Sequence, residues 1–181
     1  MKFSTNGRTL LGFTKRGELD GFPCLYFWEA ATLKKLNQIA INDEEVIACE
    51  FNKNSNLLLV LSRSQSISTI AVWDYLDGHK DILCKSQLPM NLVDCKWNYY
   101  LGDALEFVTI SERCYHFWKM TPNLALQYQE GDFPKKQALF SSSLEQFTAC
   151  DFAVPDSGQI NVYMLLGLSS GTICVVDSRC N

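Results

Sequence analysis

The sequence predicts an all-β fold built from repeated four-stranded units, and two repeating marks support this prediction. Trp28, Trp73 and Trp118 stand 45 residues apart, and each ends or nearly ends a short apolar run. A second mark is a cysteine, a charged residue and an aromatic residue in succession, and its copies end at Phe51, Trp97 and Phe152. The first step of this mark is 46 residues and the second is 55. A period near 45 residues is typical of four-stranded blades, so the predicted fold is a β-propeller.

Within each unit, the alternation of apolar and polar residues predicts four strands in a fixed order. The triplet forms a half-buried first strand, because its charged residue lies between apolar neighbours. A polar turn, an apolar run and a second turn lead to the tryptophan-bearing strand, and an alternating segment closes the unit. The first turns are predicted at Asn6-Gly7 and at residues 52–56, 98–103 and 155–158. The closing strands are predicted at residues 33–41, 81–88 and 124–128.

These units make the chain one propeller segment, residues 1–181, of about three and a half to four four-stranded blades. The predicted blades are residues 1–41, 46–88, 92–130 and 147–181, with an insertion loop at 131–146. The insertion is inferred because the fourth mark, Val176-Asp177, comes 13 residues after the expected position 163. A short first unit and a short last unit predict an incomplete ring. Three explanations stay open: a fragment of a longer protein, assembly with a second copy or another chain, or closure as a small propeller.

The composition predicts a globular protein rather than a membrane or secreted one. The 181 residues are 47% hydrophobic and 12% aromatic, which is enough to form a sizeable core. The longest apolar runs have about six residues, far fewer than the ~18 that a membrane span needs. Charged and polar residues interrupt the N-terminal region, so no secretory signal is expected. We therefore expect no membrane partner.

The eight cysteines are interpreted as reduced, structural residues. Several recur in the same place of the repeat, and no pair has the C-x-x-C spacing of a structural zinc site. Free cysteine behaves as a small buried hydrophobe, which suits packing between blades. Metal or redox chemistry is the alternative. Reduced thiols predict a cytoplasmic protein.

The charge pattern gives no indication of a nucleic-acid partner. The formal net charge is −4, and the basic residues form isolated doublets such as Lys34-Lys35 and Lys135-Lys136. A nucleic-acid surface needs a basic stripe on one face, which these doublets do not supply. Solvated turn charges are the favoured interpretation.

The sequence contains no recognisable catalytic constellation. His79 lies in a predicted turn six residues past Trp73, and His116 alternates with aromatic residues in a predicted strand. Both are interpreted as packed or hydrogen-bonded side chains. Metal-protease, hydrolase and phosphate-binding motifs are missing from the sequence, and the Gly167–Gly171 run reads as a turn between strands. No catalytic, cofactor-binding or metal-binding residue is predicted, and the protein is not expected to be an enzyme.

Four short runs resemble the signature of WD-repeat proteins. One is the literal pair, Trp73-Asp74, and the degenerate copies are Trp28-Glu29, Trp118-Lys119 and Val176-Asp177. The resemblance implies a β-propeller of the WD-repeat type in which Trp28, Trp73, Asp74, Trp118 and Asp177 mark the repeats. In that family a hydrogen-bonded network around the tryptophan fixes each blade. Its Gly-His partner dipeptides are missing before these tryptophans, so apolar packing is expected to stabilise the blades.

Residues 70–177 are also similar to the WD-repeat proteins of cilia, flagella and centrioles and to the echinoderm microtubule-associated-protein-like group. The similarity lies in residues 71–75, 93–97, 106–109, 116–119 and 147–152. It implies a non-catalytic scaffold that binds proteins, tubulin or microtubule-associated proteins among them, in the cytoplasm, on the cytoskeleton of a cilium or centriole. The predicted contact residues, in the insertion loop, are Phe133, Lys135, Lys136 and Phe140. A poorly ordered insertion and a cytosolic kinase-scaffold adaptor are the alternatives.

Overall fold

The structure is a computed structural model that describes residues 1–16, 21–75, 81–100, 105–132, 145–154 and 162–177. In these ranges every regular element is a β-strand. The strands are β1 (Lys2–Phe3), β2 (Thr9–Phe13), β3 (Cys24–Glu29), β4 (Lys35–Ala40), β5 (Glu45–Phe51), β6 (Leu57–Ser64), β7 (Ile67–Asp74), β8 (Ile82–Leu88), β9 (Leu92–Trp97), β10 (Glu106–Ser111), β11 (Cys114–Met120), β12 (Leu126–Asp132), β13 (Phe147–Ala153), β14 (Tyr163–Leu168) and β15 (Ile173–Asp177). Among the described residues, no helix has the length and apolarity to span a membrane.

The strands form four antiparallel sheets in which each strand pairs with its neighbours in sequence. Three sheets have four strands, in the orders β1-β2-β3-β4, β5-β6-β7-β8 and β12-β11-β10-β9. The fourth has three described strands, in the order β13-β14-β15. The chain divides into two compact units, residues 1–91 and 92–181, and each unit contains two of the sheets. Such meanders arise because short turns join successive strands directly.

In the first unit, apolar residues of the first two sheets form one core. The buried members are Leu11, Leu25, Phe27, Ile39, Ile41, Val46, Cys49, Phe51, Leu58 and Val60. Tyr75 follows β7 and ties the two sheets together, because its ring stacks on Phe27 at 4.7 Å between centroids and meets Phe51 edge-on at 5.3 Å. Burial of these side chains is the main stabilising contribution, about 25 cal/mol for each Å² of apolar surface.

In the second unit, the third and fourth sheets share a separate core. Its buried members are Val108, Ile110, Phe147, Cys150, Phe152, Val162, Met164, Leu166, Leu168 and Cys174. Tyr115 lies against this core and meets Phe147 edge-on at 6.4 Å between centroids. Asp94 of β9 accepts a hydrogen bond from the backbone N–H of Cys150 at 3.4 Å. The sheets of this unit are therefore joined by both apolar and polar contacts.

Strand β5 departs from the half-buried pattern that the sequence predicts for the triplet. Cys49, Glu50 and Phe51 are all buried, so both faces of this strand are covered. The Glu50 carboxylate lies against the Lys2 ammonium of β1, which compensates its burial. The alternation of apolar and polar residues describes a single strand by itself. It could not show that a side chain from another strand covers the polar face of β5.

A second buried carboxylate, Glu45, begins β5 and lies between two arginines. Arg63 of β6 donates from Nε to Glu45 Oε1 at 2.7 Å, and Arg16 Nε lies 3.4 Å from Oε2. Burial by itself raises the pKa of Glu45, but hydrogen bonds and charges from Arg63 and Arg16 outweigh it and lower the pKa below its ordinary value. The ionised form is therefore stabilised in the folded chain.

Polar turns between first and second strands follow the chemistry that the sequence predicts. Asn52 follows β5, and its side-chain oxygen accepts hydrogen bonds from the backbone N–H groups of Asn56 and Leu57 at 3.0 Å. Ser55 takes a positive φ of 58° in this turn, and Gly7 takes 71° in the equivalent turn of the first sheet. Short polar side chains and glycine suit these positions because they bond locally or lack a Cβ.

Strand β12 is longer than the sequence predicts, and this corrects the start of the insertion. Gly131 and Asp132 were expected to begin the loop at 131–146, but both belong to β12. They pair with Tyr115 and Cys114 at the start of β11, so the ladder continues for the full length of that strand. A glycine beside an acidic residue is typical of a turn when only the local sequence is considered. The strand residues that pair with these two positions are 16 or more residues away, so the local sequence does not indicate them.

Candidate functional site

The three tryptophans that mark the repeat occupy one position in three sheets. Trp28, Trp73 and Trp118 lie on β3, β7 and β11 and pair with Leu10, Leu58 and Phe107 of the preceding strands. Trp118 is buried, whereas Trp28 and Trp73 are half-buried. Their shared place in the hairpin explains the constant spacing of 45 residues.

The indole N–H of each tryptophan faces a diagonal neighbour, the residue two positions after its cross-strand partner. This neighbour differs among the three sheets. In the third sheet Trp118 Nε1 donates to Thr109 Oγ1 at 2.9 Å. In the second sheet Val60 occupies the equivalent place, and Trp73 Nε1 has no acceptor among the described residues. Trp73 lines a cavity of about 90 Å³, which has room for water. In the first sheet Gly12 occupies the equivalent position. A Cβ added there would lie 3.0 Å from the Trp28 ring, so the ring packs closely on the glycine.

The other repeat marks are packing residues. Phe51 and Trp97 end β5 and β9, Phe152 is the last but one residue of β13, and all three are buried. Trp97 meets Phe107 edge-on at 5.2 Å between centroids. Asp74 and Asp177 end β7 and β15 and are half-buried. Phe51, Trp97 and Phe152 therefore stabilise their sheets by packing.

The predicted contact residues of the insertion cannot be placed. Phe133, Lys135, Lys136 and Phe140 lie outside the described residues, as does His79. The described chain on either side of the insertion ends at Asp132 in β12 and resumes at Glu145, two residues before β13.

A groove crosses the third sheet beside β12 and offers a surface for a protein partner. It has a volume of about 540 Å³ and is lined by Glu106, Phe117, Trp118, Lys119, Gln127, Tyr128 and Gln129. Lys119 Nζ lies 3.7 Å from Glu106 Oε1, and the Tyr128 side chain is 46% exposed. Tyr128 also packs on Trp118 at 4.7 Å between centroids, so the exposed ring is held on a rigid base. Anchored tyrosines surrounded by polar groups are typical of protein contact surfaces.

No disulfide bond joins any two of the seven described cysteines. Cys49, Cys84, Cys95, Cys150 and Cys174 are buried, and Cys24 and Cys114 are half-buried. Burial raises the pKa of Cys49, Cys84 and Cys174, so these groups stay protonated at neutral pH. They therefore pack as apolar residues.

The structure brings together one cluster of potential metal ligands that the sequence does not predict. Cys114 and His116 of β11 lie on the same face as Glu130 of β12, and the ligand atoms of the three residues are within 4.8 Å of one another. The sequence predicts a packed side chain for His116 and no metal ligand. A Cys-x-His spacing in a strand places both groups on one face, but the register that brings in Glu130 is tertiary information.

His116 is unusual for a packed histidine. Its side chain is fully buried, and neither ring nitrogen has a hydrogen-bond partner among the described residues. Its ring lies against Tyr128 at 5.3 Å and Trp118 at 6.3 Å between centroids. Burial lowers the pKa of His116 below its ordinary value, and the smaller effect of the Glu130 charge is to raise it. The imidazole is therefore neutral at pH 7.

Comparison with known proteins identifies the fold and no family. No protein-family model matches the sequence, and no curated protein matches it significantly. Among solved structures, the chain is similar to the β-propeller domain of Cps50 (Swd1) from Myceliophteria thermophila, with a TM-score of 0.65 and 16% identity. The match covers 98% of this chain and 51% of that domain, so the chain spans about half the length of the structure it matches.

This likeness confirms the predicted fold class. The chain is all-β, and its four antiparallel sheets correspond to the blades of a β-propeller. Three sheets of four strands and one of three described strands agree with the predicted three and a half to four blades. The fold alone does not determine function, which depends on the surfaces that the blades present.

Proposed function

We propose that this chain is a non-catalytic scaffold that binds other proteins, and that it acts on the microtubules of cilia, flagella or centrioles. The observation that carries the scaffold role is the propeller fold over 98% of the chain. The microtubule role is supported by the resemblance of residues 70–177 to ciliary and centriolar WD-repeat proteins. Tubulin and microtubule-associated proteins are the partners that this resemblance favours.

The contact surface that we propose runs from the groove of the third sheet into the insertion. Lys119, Gln127 and Tyr128 line the groove, and β12 ends at Asp132, which directly precedes the predicted contact residues Phe133 and Lys135 in the sequence. Among the described residues, β12 pairs on one side only, with β11. Backbone groups of an edge strand and an anchored aromatic side chain together give a partner both hydrogen bonds and apolar contact.

A second propeller segment is a further proposed partner. The chain spans about half of the solved propeller domain that it matches, so a further segment would complete the ring. Such a segment would belong to a longer form of the same chain, to a second copy or to another protein.

Co-sedimentation with stabilised microtubules tests the proposal. The wild-type chain is expected to pellet with microtubules. A variant with Phe133→Ala, Lys135→Ala, Lys136→Ala and Phe140→Ala is expected to pellet about tenfold less, because it removes both apolar and charged contacts of the loop. The control changes the exposed doublet Lys34 and Lys35 to alanine and should retain binding.

Localisation of the chain in cells and affinity purification of its partners distinguish a microtubule role from a cytosolic adaptor role. A tagged chain is expected to concentrate on cilia or centrioles and to recover tubulin-associated proteins. A diffuse cytoplasmic signal with no microtubule enrichment would overturn the microtubule role. Recovery of kinases without tubulin-associated proteins would instead support a cytosolic signalling adaptor.

A further inference from the structure

We propose that Cys114, His116 and Glu130 bind a Zn²⁺ ion on one face of the third sheet. This site is independent of the scaffold role, because it lies on the paired strands β11 and β12 and requires no partner. Its support is geometric: three ligand types converge, and the central one is buried without a hydrogen-bond partner.

The strand register places the three groups together. Cys114 and His116 are two residues apart on β11 and therefore point to the same face of the sheet. Glu130 of β12 is the direct cross-strand partner of His116. Side chains at such paired positions lie about 4.5–5.5 Å apart at Cβ, which is close enough for one ion to contact both.

The distances between ligand atoms suit closure around zinc with small side-chain movements. The three ligand atoms now lie within 4.8 Å of one another. Zinc bonds of about 2.0–2.3 Å in a tetrahedral arrangement bring ligand atoms to roughly 3.3–3.8 Å. Cys114 is half-buried and Glu130 is exposed, so both can rotate by this amount while the strands stay in place.

The buried imidazole gives the second, independent observation. His116 is fully buried, and both of its nitrogens lack partners among the described residues. An unsatisfied buried polar atom costs about 1–3 kcal/mol. A metal ion bound to one nitrogen removes that cost on one side, and the neighbouring Tyr128 ring supplies a weak contact for the remainder of the imidazole.

Ser111 provides a supporting contact for the thiolate. Its Oγ lies 2.9 Å from Cys114 Sγ and 3.2 Å from the Cys114 backbone oxygen. A hydroxyl that donates to a metal-bound thiolate orients the sulfur and offsets its charge. Ser111 is therefore a positioning residue for Cys114.

The other sheets show that the fold itself does not require these side chains. The equivalent positions are Cys24, Tyr26 and Gln38 in the first sheet and Thr69, Ala71 and Lys85 in the second. The second sheet even places a lysine where the third has Glu130. The complete ligand set thus belongs to the third sheet and is not a packing requirement of every blade.

The ligand chemistry selects the ion. A thiolate and an imidazole disfavour magnesium and calcium, which prefer oxygen ligands. Zinc accepts sulfur, nitrogen and carboxylate oxygen together, and three protein ligands leave the fourth position for water. The bound ion would cross-link β11 to β12, so it is expected to stabilise the edge of the sheet.

Cobalt substitution of the full reduced chain, stripped of metal by a chelator, tests the site. We expect one Co²⁺ per chain, an ultraviolet thiolate-to-cobalt absorption band and displacement by one equivalent of Zn²⁺. Cys114→Ser is expected to lose the band. Glu130→Gln is expected to weaken zinc affinity about tenfold or more, as even outer-shell changes at zinc sites cost roughly 10–100-fold.

The matched control is Cys24→Ser, which changes the equivalent cysteine of the first sheet and should leave the band and the affinity unchanged. His116→Ala should also abolish binding, but it opens a cavity in the sheet, so the two less buried variants decide the question. A wild-type chain without the band would overturn the proposal. So would wild-type binding by Cys114→Ser and Glu130→Gln, or loss of binding in the control.

Discussion

The indole N–H groups of the repeat tryptophans differ in their partners although the tryptophans occupy one position. Trp118 donates to Thr109, whereas Trp73 faces Val60 and has no acceptor among the described residues. A hydroxyl instead of a methyl group at one diagonal position accounts for the difference. The third sheet therefore keeps a polar bond at a place where the second sheet relies on apolar packing.

Thr109→Val is expected to destabilise the chain by about 1–3 kcal/mol, because it leaves the buried Trp118 N–H unsatisfied without changing the side-chain volume much. Urea unfolding followed by tryptophan fluorescence measures the change. The control, Thr148→Val, alters an exposed threonine of β13 and should stay within about 0.5 kcal/mol of wild type. Equal effects of the two variants would contradict the importance of the hydrogen bond.

Glu45 predicts a specific loss of stability in acid. Its pKa in the folded chain is lower than the ordinary value of about 4.3, so the unfolded chain takes up the proton first. Its stabilising contribution is complete above pH 4.3 and is lost as the pH falls through the folded-state pKa. The free energy of unfolding, measured by denaturation at several pH values between 7 and 3, should therefore decrease less for Glu45→Gln than for wild type.

The control for this measurement is Glu44→Gln, which removes the same charge from the exposed neighbouring residue. It is expected to retain the acid-dependent loss that Glu45→Gln diminishes. An identical pH profile for wild type and Glu45→Gln would show that the contacts with Arg63 and Arg16 do not favour the ionised carboxylate.

At the scale of elements, Gly131 allows β11 and β12 to pair along their full length. A Cβ built on Gly131 would lie 2.2 Å from two ring atoms of Tyr115, the residue opposite it. The glycine is therefore required by a cross-strand aromatic ring and not by a turn. The same pairing carries Glu130 to His116.

Gly131→Ala is expected to destabilise the chain by about 1–3 kcal/mol, because the Tyr115 ring must leave its place beside the core. Chemical denaturation gives the magnitude. Gly167→Ala is the matched control, since its added methyl would meet no atom closer than 3.7 Å. The penalty should shrink when Tyr115→Val is combined with Gly131→Ala, and a purely additive double variant would refute the steric explanation.

At the scale of the whole molecule, the outermost described strand of the fourth sheet exposes apolar side chains. Ile173 is 63% exposed and Val175 is 61% exposed, and within the described residues β15 pairs only with β14. Exposed apolar edge strands tend to pair with other chains. This exposed apolar edge leads us to expect association at the fourth sheet.

Light scattering after size exclusion is expected to show a mass that rises with concentration from 20.5 kDa towards twice that value. Ile173→Lys with Val175→Lys should keep the chain at the monomer mass, because two charges at the edge oppose pairing. The control places the same two charges at two other exposed positions, Leu33 between β3 and β4 and Ile67 at the start of β7, and should associate like wild type. A wild-type chain that stays monomeric at every concentration would contradict the prediction.

Local patterns were sufficient to predict the all-β class and the propeller fold. The tryptophan spacing and the period-2 alternation are properties of consecutive residues, so they can be read without a structure. The same reasoning misjudged Gly131 and Asp132 as loop residues and β5 as half-buried. In both cases the deciding partner, Tyr115 for Gly131 and Lys2 for Glu50, is distant in sequence.

The sequence by itself determined the repeat, the order of strands in each unit and the packing role of the tryptophans. Only the tertiary structure decided which side chains meet across the strands: Glu130 with His116, Trp118 with Thr109, and Glu45 with Arg63. The physical reason is that strand periodicity is a local property of the chain. Register and sheet packing are not local, because they depend on how separate strands bury their faces against one another.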